Sequence, residues 1–184
     1  MRILLFGSNG LIATAAGIFC CREGIELDVV GRSYPAFYGC RQYINADLKD
    51  VCPGDLENID FNQYDVIIYA AAAGVQANDC QSASCIYGLN VVFPVELINL
   101  LAHNSFRGAV VTFGSYFEIG ENFDDNEWDE KAVLSSVNRV PNDYWVSKRM
   151  LTRFAASCNV DFKYYHLILP TVYAEHESSQ RLIP

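Results

Sequence analysis

A chain of 184 residues, 51% hydrophobic and 19% charged, has the composition of an ordinary globular protein and can bury one sizeable core. Its formal net charge of −9 argues against the basic surface that nucleic-acid-binding domains usually carry. No uninterrupted apolar run approaches the roughly 20 residues that span a bilayer, and the N-terminus does not resemble a signal peptide. We therefore expect a single domain over residues 1–184, located in the cytoplasm, without nucleic-acid or membrane partners.

The seven cysteines are scattered, and none has the spacing of a zinc site or of a disulfide framework. We expect free thiols and no bound metal. Six of the ten residues from 121 to 130 are acidic, which is typical of a solvated loop.

Apolar runs typical of buried strands alternate with helical patterns. Strands are predicted at 2–6, 27–30, 42–44, 65–69, 109–113 and 162–169, and helices at 11–22, 91–103 and 142–157. Apolar strands without polar alternation require a parallel sheet that is covered on both faces. The pattern predicts a doubly wound α/β sheet, in which ligands bind beyond the carboxyl ends of the strands.

A glycine-rich loop, Gly-Ser-Asn-Gly-Leu-Ile-Ala, joins the first strand to the first helix. Gly7 permits a tight turn, Gly10 lets the backbone approach a pyrophosphate, and Ala13 allows close packing. The N–H groups at the start of the helix can then bind the anion. A tight turn without a ligand is the alternative. The predicted dinucleotide contacts are Gly7, Ser8, Asn9, Gly10, Leu11 and Ile12.

The end of the second strand bears on the choice of cofactor. A carboxylate that binds the ribose hydroxyls is expected about 20 residues after the glycines. Residues 30–33 contain none, and Asp28 lies earlier, inside the strand. Arg32 and Ser33 could instead bind a 2′-phosphate, so we expect NADP, with NAD as the alternative.

Tyr144 and Lys148 are four residues apart on a predicted helix and therefore share one face. A free phenol has a pKa near 10, and a neighbouring ammonium favours its ionised form. The pair could thus transfer a proton near neutral pH. An amphipathic helix with an exposed lysine would show the same spacing.

Together these motifs resemble the extended short-chain dehydrogenases/reductases, a family that modifies sugar nucleotides. The matching segments are residues 7–13, 45–48, 70–74, 87–91, Ser115, Tyr144 with Lys148, and 169–173. They cover essentially the whole chain and imply a Rossmann-type fold.

The resemblance also implies roles. Ser115 would hydrogen-bond the substrate, Tyr144 would act as acid and base, and Lys148 would bind the nicotinamide ribose and tune Tyr144. Asp47 and Leu48 would flank the adenine. The other cofactor-binding positions that it implies are Ala70, Ala71, Ala72, Asn90, Pro170, Thr171 and Val172.

The residues after Ser115 narrow the reaction. Dehydratases of the family have an Asp-Glu pair there, and decarboxylases keep a glutamate at the second position. Here Tyr116 and Phe117 occupy these positions, while Glu118 is one step later and is expected to point elsewhere. We expect reduction of a 4-keto sugar nucleotide. The alternatives are an epimerase that retains NAD and, in another class, a non-catalytic dinucleotide-binding or regulatory protein.

Some positions depart from the family. Trp145 replaces a small residue, Ile168 stands where arginine is common, and residues 174–175 replace Gly-Pro. Family members continue past the position of residue 184 into a smaller lobe that closes over the sugar nucleotide, so we expect that substrate lobe to be largely absent. The segments 91–101 and 150–156 would suit a homodimer interface.

Overall fold

The computed structural model of the chain describes residues 1–56, 58–74, 81–122 and 127–173. The strands are β1 (Arg2–Phe6), β2 (Glu26–Gly31), β3 (Gln42–Asn45), β4 (Val66–Tyr69), β5 (Ala109–Ser115) and β6 (Lys163–Leu169). The helices are α1 (Leu11–Arg22), α2 (Ala83–Tyr87), α3 (Phe93–His103), α4 (Glu130–Ser135) and α5 (Asp143–Ser157). Short 3-10 turns lie at Pro53–Asp55, Phe61–Gln63 and Tyr116–Ile119, and a π-helical turn lies at Gly88–Val92.

All six strands are parallel, in the order β3-β2-β1-β4-β5-β6. This order confirms the predicted Rossmann-type sheet. Phe6, the last residue of β1, is in register with Val30 of β2 and Tyr69 of β4. The loops that follow these strands therefore leave the sheet side by side at its carboxyl edge.

Helices on both faces bury the central strands, and this explains their nearly continuous apolar sequence. The larger core cluster lies on the side of α3 and α5 and includes Leu4, Phe6 and Leu97. The smaller cluster packs Leu5 and Val29 against α1. The two faces of β1, β2 and β4 thus contribute to two separate cores.

The helix predicted at 91–103 begins earlier than expected. α2 starts after Ser82, whose side chain accepts a hydrogen bond from the backbone N–H of Cys85, and the helix continues through the π-helical turn into α3. The joined run Ala83–His103 has 21 residues and is long and apolar enough to cross a membrane. The prediction from uninterrupted apolar runs did not include this helix, because Asn90 and Glu96 interrupt its apolar sequence. Its apolar character is also that of a core helix, because one face, including Leu97 and Leu101, packs against the sheet.

Candidate active site

The glycine-rich loop has the backbone geometry that was predicted from its sequence. Gly7 has a φ of 103°, and a Cβ at this position would lie 3.0 Å from the backbone nitrogen of Ala71. Only glycine fits without strain. Gly10 precedes α1, and no side chain of the described residues caps this helix end. The first N–H groups of α1 therefore remain available to an anion.

Asn9 connects this loop to the segment after β2. Its side-chain amide donates a 2.7 Å hydrogen bond to the hydroxyl of Ser33 and accepts a 2.9 Å hydrogen bond from the backbone N–H of Ala36. Ser8 is buried against Gly31, where a Cβ would lie 2.6 Å from the Ser8 hydroxyl. Ser33 thus anchors its own loop through Asn9, while the neighbouring Arg32 is exposed.

Asp28 lies inside β2, as the sequence indicated, and not at its carboxyl end. The carboxylate is fully buried, forms an ion pair with Arg41 and accepts a 2.8 Å hydrogen bond from the hydroxyl of Tyr64. Burial, and then the Asp28 carboxylate, raise the pKa of Tyr64. Asp28 is therefore part of the packed interior and does not replace the missing ribose carboxylate.

Asn90 connects the loop after β4 to α5. It lies in the π-helical turn and is 1% exposed. Its side-chain amide pairs with both backbone groups of Ala73, at 2.9 and 3.0 Å, and donates a 2.9 Å hydrogen bond to Ser147. The Ser147 hydroxyl in turn donates to the backbone oxygen of Tyr144 at 2.8 Å. Asn90 and Ser147 therefore fix the start of α5 relative to the cofactor loops.

Tyr144 and Lys148 share one face of α5, as predicted. The side chain of Asn142 caps this helix by accepting a hydrogen bond from the N–H of Trp145. Lys148 is 6% exposed, and its ammonium donates a 2.8 Å hydrogen bond to the backbone oxygen of Phe113. The alternative of an exposed lysine on an amphipathic helix is therefore wrong.

The ammonium of Lys148 is directed toward the phenol ring. Its Nζ is 5.9 Å from the centroid of the Tyr144 ring. Burial lowers the pKa of Lys148 to about 8, and the negative charge of Glu118 opposes this shift. A buried cation whose pKa is near neutrality can both stabilise a phenolate and exchange a proton.

Ser115 ends β5 at the same edge of the sheet and is buried. Its backbone N–H donates a 2.6 Å hydrogen bond to Oε1 of Glu118, and its hydroxyl accepts a hydrogen bond of 3.4 Å from the N–H of Phe117. The Glu118 side chain is fully buried. Burial raises the pKa of Glu118, while Thr152 and the Ser115 N–H are the strongest opposing interactions.

Two polar residues near this site, His166 and Thr152, were not predicted. The His166 ring, on β6, has Nδ1 2.8 Å from the hydroxyl of Thr112 and Nε2 2.7 Å from the hydroxyl of Thr152. Burial lowers its pKa to about 4. A sequence signal existed: Thr152 is four residues after Lys148 and thus on the same helix face.

A cavity of about 590 Å³ is lined by aromatic residues that adjoin Ser115 and Tyr144 in the sequence. Trp145, the departure from the family at this position, stacks on Phe117 with ring centroids 4.8 Å apart. Ile168 and Pro170 contribute from the end of β6. The cavity is lined by Tyr116, Phe117, Ile119, Gly120, Glu121, Asn122, Trp128, Asp129, Glu130, Val133, Trp145, Ile168 and Pro170.

The remaining predicted positions lie at the same edge but contribute differently. Leu48 is 7% exposed and belongs to the core, whereas the carboxylate of Asp47 accepts a hydrogen bond from the N–H of Lys49 in a turn after β3. Thr171 and Val172 follow β6, and Ala72 is exposed in the loop after β4. Positions 174–175 and the end of the chain lie outside the described residues. The described part of the chain contains no cluster of metal-binding side chains, and six of its cysteines are free thiols.

Comparison with known proteins agrees with this fold. The family model described as the NAD dependent epimerase/dehydratase family matches residues 3–184. No curated protein sequence matches the chain.

Similar solved structures include WbmG of Bordetella bronchiseptica in complex with NAD and UDP, with 18% identity and a TM-score of 0.66. MoeE5 in complex with UDP-glucose and NAD has 20% identity and a TM-score of 0.70. A UDP-glucose 4-epimerase from Brucella ovis in complex with NAD has 16% identity and a TM-score of 0.69.

The matches cover 89%, 91% and 91% of this chain and 52%, 54% and 51% of the respective neighbours, so the chain spans about half of their length. At these identities the structures show a shared fold, while the family model covers nearly every residue. The chain belongs to the NAD-dependent epimerase/dehydratase family.

Proposed function

We propose that this protein is an NAD(P)-dependent oxidoreductase that acts on a sugar nucleotide, and that its reaction is the reduction of a 4-keto sugar. The observation that carries the proposal is the set of Ser115, Tyr144 and Lys148 at the carboxyl edge of the sheet, with Lys148 buried behind the phenol ring. The neighbours that contain UDP or UDP-glucose support the substrate class.

The residues of the cofactor loop fit a dinucleotide. The missing Cβ of Gly7 lets the glycine-rich loop pass close to the backbone of Ala71, and the uncapped N–H groups at the start of α1 would hold the pyrophosphate. When bound, the cofactor supplies the hydride that reduces the keto carbon. Arg32 is exposed beside Ser33 and could bind a 2′-phosphate, which supports NADP. The NAD that is bound in the neighbours supports NAD as the alternative.

The side chains of this chain provide the proton and position the carbonyl group. Tyr144 donates its phenolic proton to the keto oxygen as that oxygen gains negative charge. The Ser115 hydroxyl donates a hydrogen bond to the same oxygen, and the Lys148 ammonium stabilises the resulting phenolate. Each group thus acts on charge that develops only during the reaction.

Elimination of water does not fit this site. The two positions after Ser115 hold aromatic side chains, and Phe117 stacks on Trp145 in the cavity wall. Neither Tyr116 nor Phe117 offers the carboxylic acid and carboxylate that dehydration requires.

Epimerisation through a transient ketone is the second candidate. It uses the same proton transfer at Tyr144 but returns the hydride to the sugar, so the cofactor is not consumed. A UDP-glucose 4-epimerase among the neighbours favours this candidate. The two reactions differ in whether one equivalent of reduced cofactor disappears per product.

The proposal is tested by turnover of a panel of keto-sugar and sugar nucleotides, together with titration of NADPH and NADH by nicotinamide fluorescence. Tyr144→Phe should reduce kcat by roughly 10²- to 10⁴-fold while the cofactor Kd stays within about twofold. Tyr165→Phe, on an exposed part of β6, is the matched control.

Undiminished turnover in Tyr144→Phe would remove this residue from the mechanism. Failure to bind either dinucleotide would remove the cofactor assignment. Tight dinucleotide binding without turnover of any substrate in the panel would favour the non-catalytic class.

A further inference from the structure

A chain of polar side chains runs from the interior of the sheet to the carboxylate of Glu118. The Tyr164 hydroxyl lies 3.1 Å from the Thr112 hydroxyl, which lies 2.8 Å from Nδ1 of His166. Nε2 of His166 lies 2.7 Å from the Thr152 hydroxyl, and Thr152 lies beside the Glu118 carboxyl group and lowers its pKa. Five side chains from β5, β6, α5 and the 3-10 turn are thereby connected.

An ionised Glu118 would give every bond of this chain a direction. A carboxylate only accepts hydrogen bonds, so the Thr152 hydrogen must point at Glu118. The Thr152 oxygen must then accept from Nε2–H of His166, which leaves Nδ1 to accept from Thr112 and the Thr112 oxygen to accept from Tyr164. His166 is then a neutral imidazole that carries its hydrogen on Nε2.

The titrating groups of the cluster are consistent with this assignment. Burial, and then Lys148, lower the pKa of His166 to about 4, so the ring is neutral at pH 7. Burial raises the pKa of Tyr164 to about 12, which keeps its phenol protonated as the first donor. Every donor in the chain therefore has an acceptor.

Glu118 is also the acidic group that acts on Lys148. The described residues contain no direct ion pair to the Lys148 ammonium, and Glu118 is the negative charge that raises its pKa. The other titratable groups around the two are Arg149 and Tyr144 on α5 and His166 on β6. Arg149 donates to the backbone oxygen of Glu118 at 2.6 Å and adds positive charge to the same side.

Gly114 leaves space for the Glu118 carboxylate. A Cβ at Gly114 would lie 2.3 Å from Oε1 of Glu118 and 2.7 Å from Nε2 of His166. The strand residue next to Ser115 therefore has to be glycine as long as both polar groups are present.

We propose that Glu118 is a positioning residue for Ser115 and Lys148, which holds the Ser115 backbone and supplies the negative charge that balances the buried ammonium. The effect on catalysis rests on the proposed function, whereas the contact with Ser115 and the charge balance with Lys148 do not. Sequence alone suggested only that this carboxylate, one step after the two positions used by dehydratases, points elsewhere.

Glu118→Gln tests the direction of the chain. The amide oxygen can still accept from Ser115 N–H, but the NH2 group must now donate to Thr152, and the bonds beyond it reverse. With ¹⁵N-labelled histidine, long-range ¹H–¹⁵N spectra should show His166 protonated at Nε2 in the wild type and at Nδ1 in the variant. Assignment uses His166→Gln, and Glu96→Gln, an exposed acid on α3, should leave the spectrum unchanged.

A wild-type His166 that carries its hydrogen on Nδ1, or a tautomer that Glu118→Gln does not alter, would overturn the chain. If Glu118→Gln fails to fold, Thr152→Val provides the same test, because it separates His166 from the carboxylate. The His166 ring should then lose its fixed tautomer while Glu118 keeps its charge, and an unchanged His166 spectrum would again overturn the chain.

The effect of the Glu118 charge is tested by a pH titration of Lys148 in protein that contains ¹³C-labelled lysine. The Lys148 signal is assigned by comparison with Lys148→Met. The wild-type midpoint should lie near 8, lower than the ordinary value of a lysine side chain. Glu118→Gln should move it to a lower pH because the carboxylate raises this pKa, and Thr152→Val should move it less. An unchanged midpoint in Glu118→Gln would overturn the role in charge balance.

On any substrate found by the panel, Glu118→Gln should shift the alkaline limb of the kcat profile to lower pH, with a smaller effect on KM. Absence of wild-type turnover would count against the proposed function alone, since both NMR results decide the role of Glu118 without a substrate. A kcat profile that matches the wild type would overturn the catalytic part of the inference.

Discussion

Asp28 and Glu118 are the two carboxylates that are fully buried among the described residues, and their surroundings differ. Asp28 lies inside β2, directly paired with Arg41 and hydrogen-bonded by Tyr64. Glu118 lies beyond the end of β5, with a backbone N–H, a threonine hydroxyl and a lysine at longer range.

The field of a directly paired carboxylate is largely cancelled by its partner, whereas a carboxylate without a direct ion pair shifts the pKa values of neighbouring groups. The comparison therefore assigns Asp28 to stability and Glu118 to the tuning of reactive groups. It also shows that complete burial of an acid does not by itself identify an active site.

Asp28→Asn should cause the largest loss of stability. It removes the charge that Arg41 and Tyr64 require, and the expected fall in the free energy of unfolding is about 3 kcal/mol, measured by urea denaturation. The Arg41 side chain is partly exposed, which keeps the loss from being larger. Asp50→Asn, an exposed acid after β3, should stay within about 0.5 kcal/mol of wild type.

The same Asp28→Asn variant should leave the His166 tautomer and the Lys148 titration unchanged. If either NMR signal moves, the two carboxylates are not independent and the comparison fails.

His166 should make the stability of the wild type depend on pH. Its pKa is about 4 in the folded protein and near 6.5 when unfolded, so the unfolded chain binds more protons between these values. Stability should therefore fall as the pH is lowered from 6.5 to 4, by about 3 kcal/mol from this group. The difference between wild type and His166→Gln, followed by denaturation across this range, isolates the contribution, and a constant difference would contradict it.

Gly114→Ala should lower the free energy of unfolding by about 2 kcal/mol, because the new methyl group overlaps both Glu118 and His166. Gly88→Ala is the contrasting variant, since its Cβ would meet nothing within 4 Å and the backbone there is helical. That substitution should stabilise the protein by about 0.5–1 kcal/mol. Equal thermal shifts in both variants would show that crowding at Glu118 is not the cause.

Much of the fold and part of the site follow from local sequence. The turn at Gly7 and the pairing of Tyr144 with Lys148 are set by short spacings, so the sequence predicts them. Glu118, Thr152 and His166 come together from three separate elements, and no local pattern shows that they meet. The π-helical turn at Asn90 was missed for a related reason: tertiary contacts with Ala73 and Ser147 override the low helix propensity of Gly88 and Asn90.

The hydrogen bonds of Asn9 have a consequence for engineering cofactor preference. The loop that would contact the ribose is attached through its Ser33 hydroxyl and its Ala36 N–H to a side chain in a different loop. Transplanting residues 32–36 from a relative that prefers the other nucleotide would remove the Ser33 hydroxyl, and would keep the N–H at position 36 in place only if the loop follows the same path, while Asn9 stays unchanged. An exchange of the loop 32–36 therefore requires that the residue at position 9 be redesigned together with the new loop.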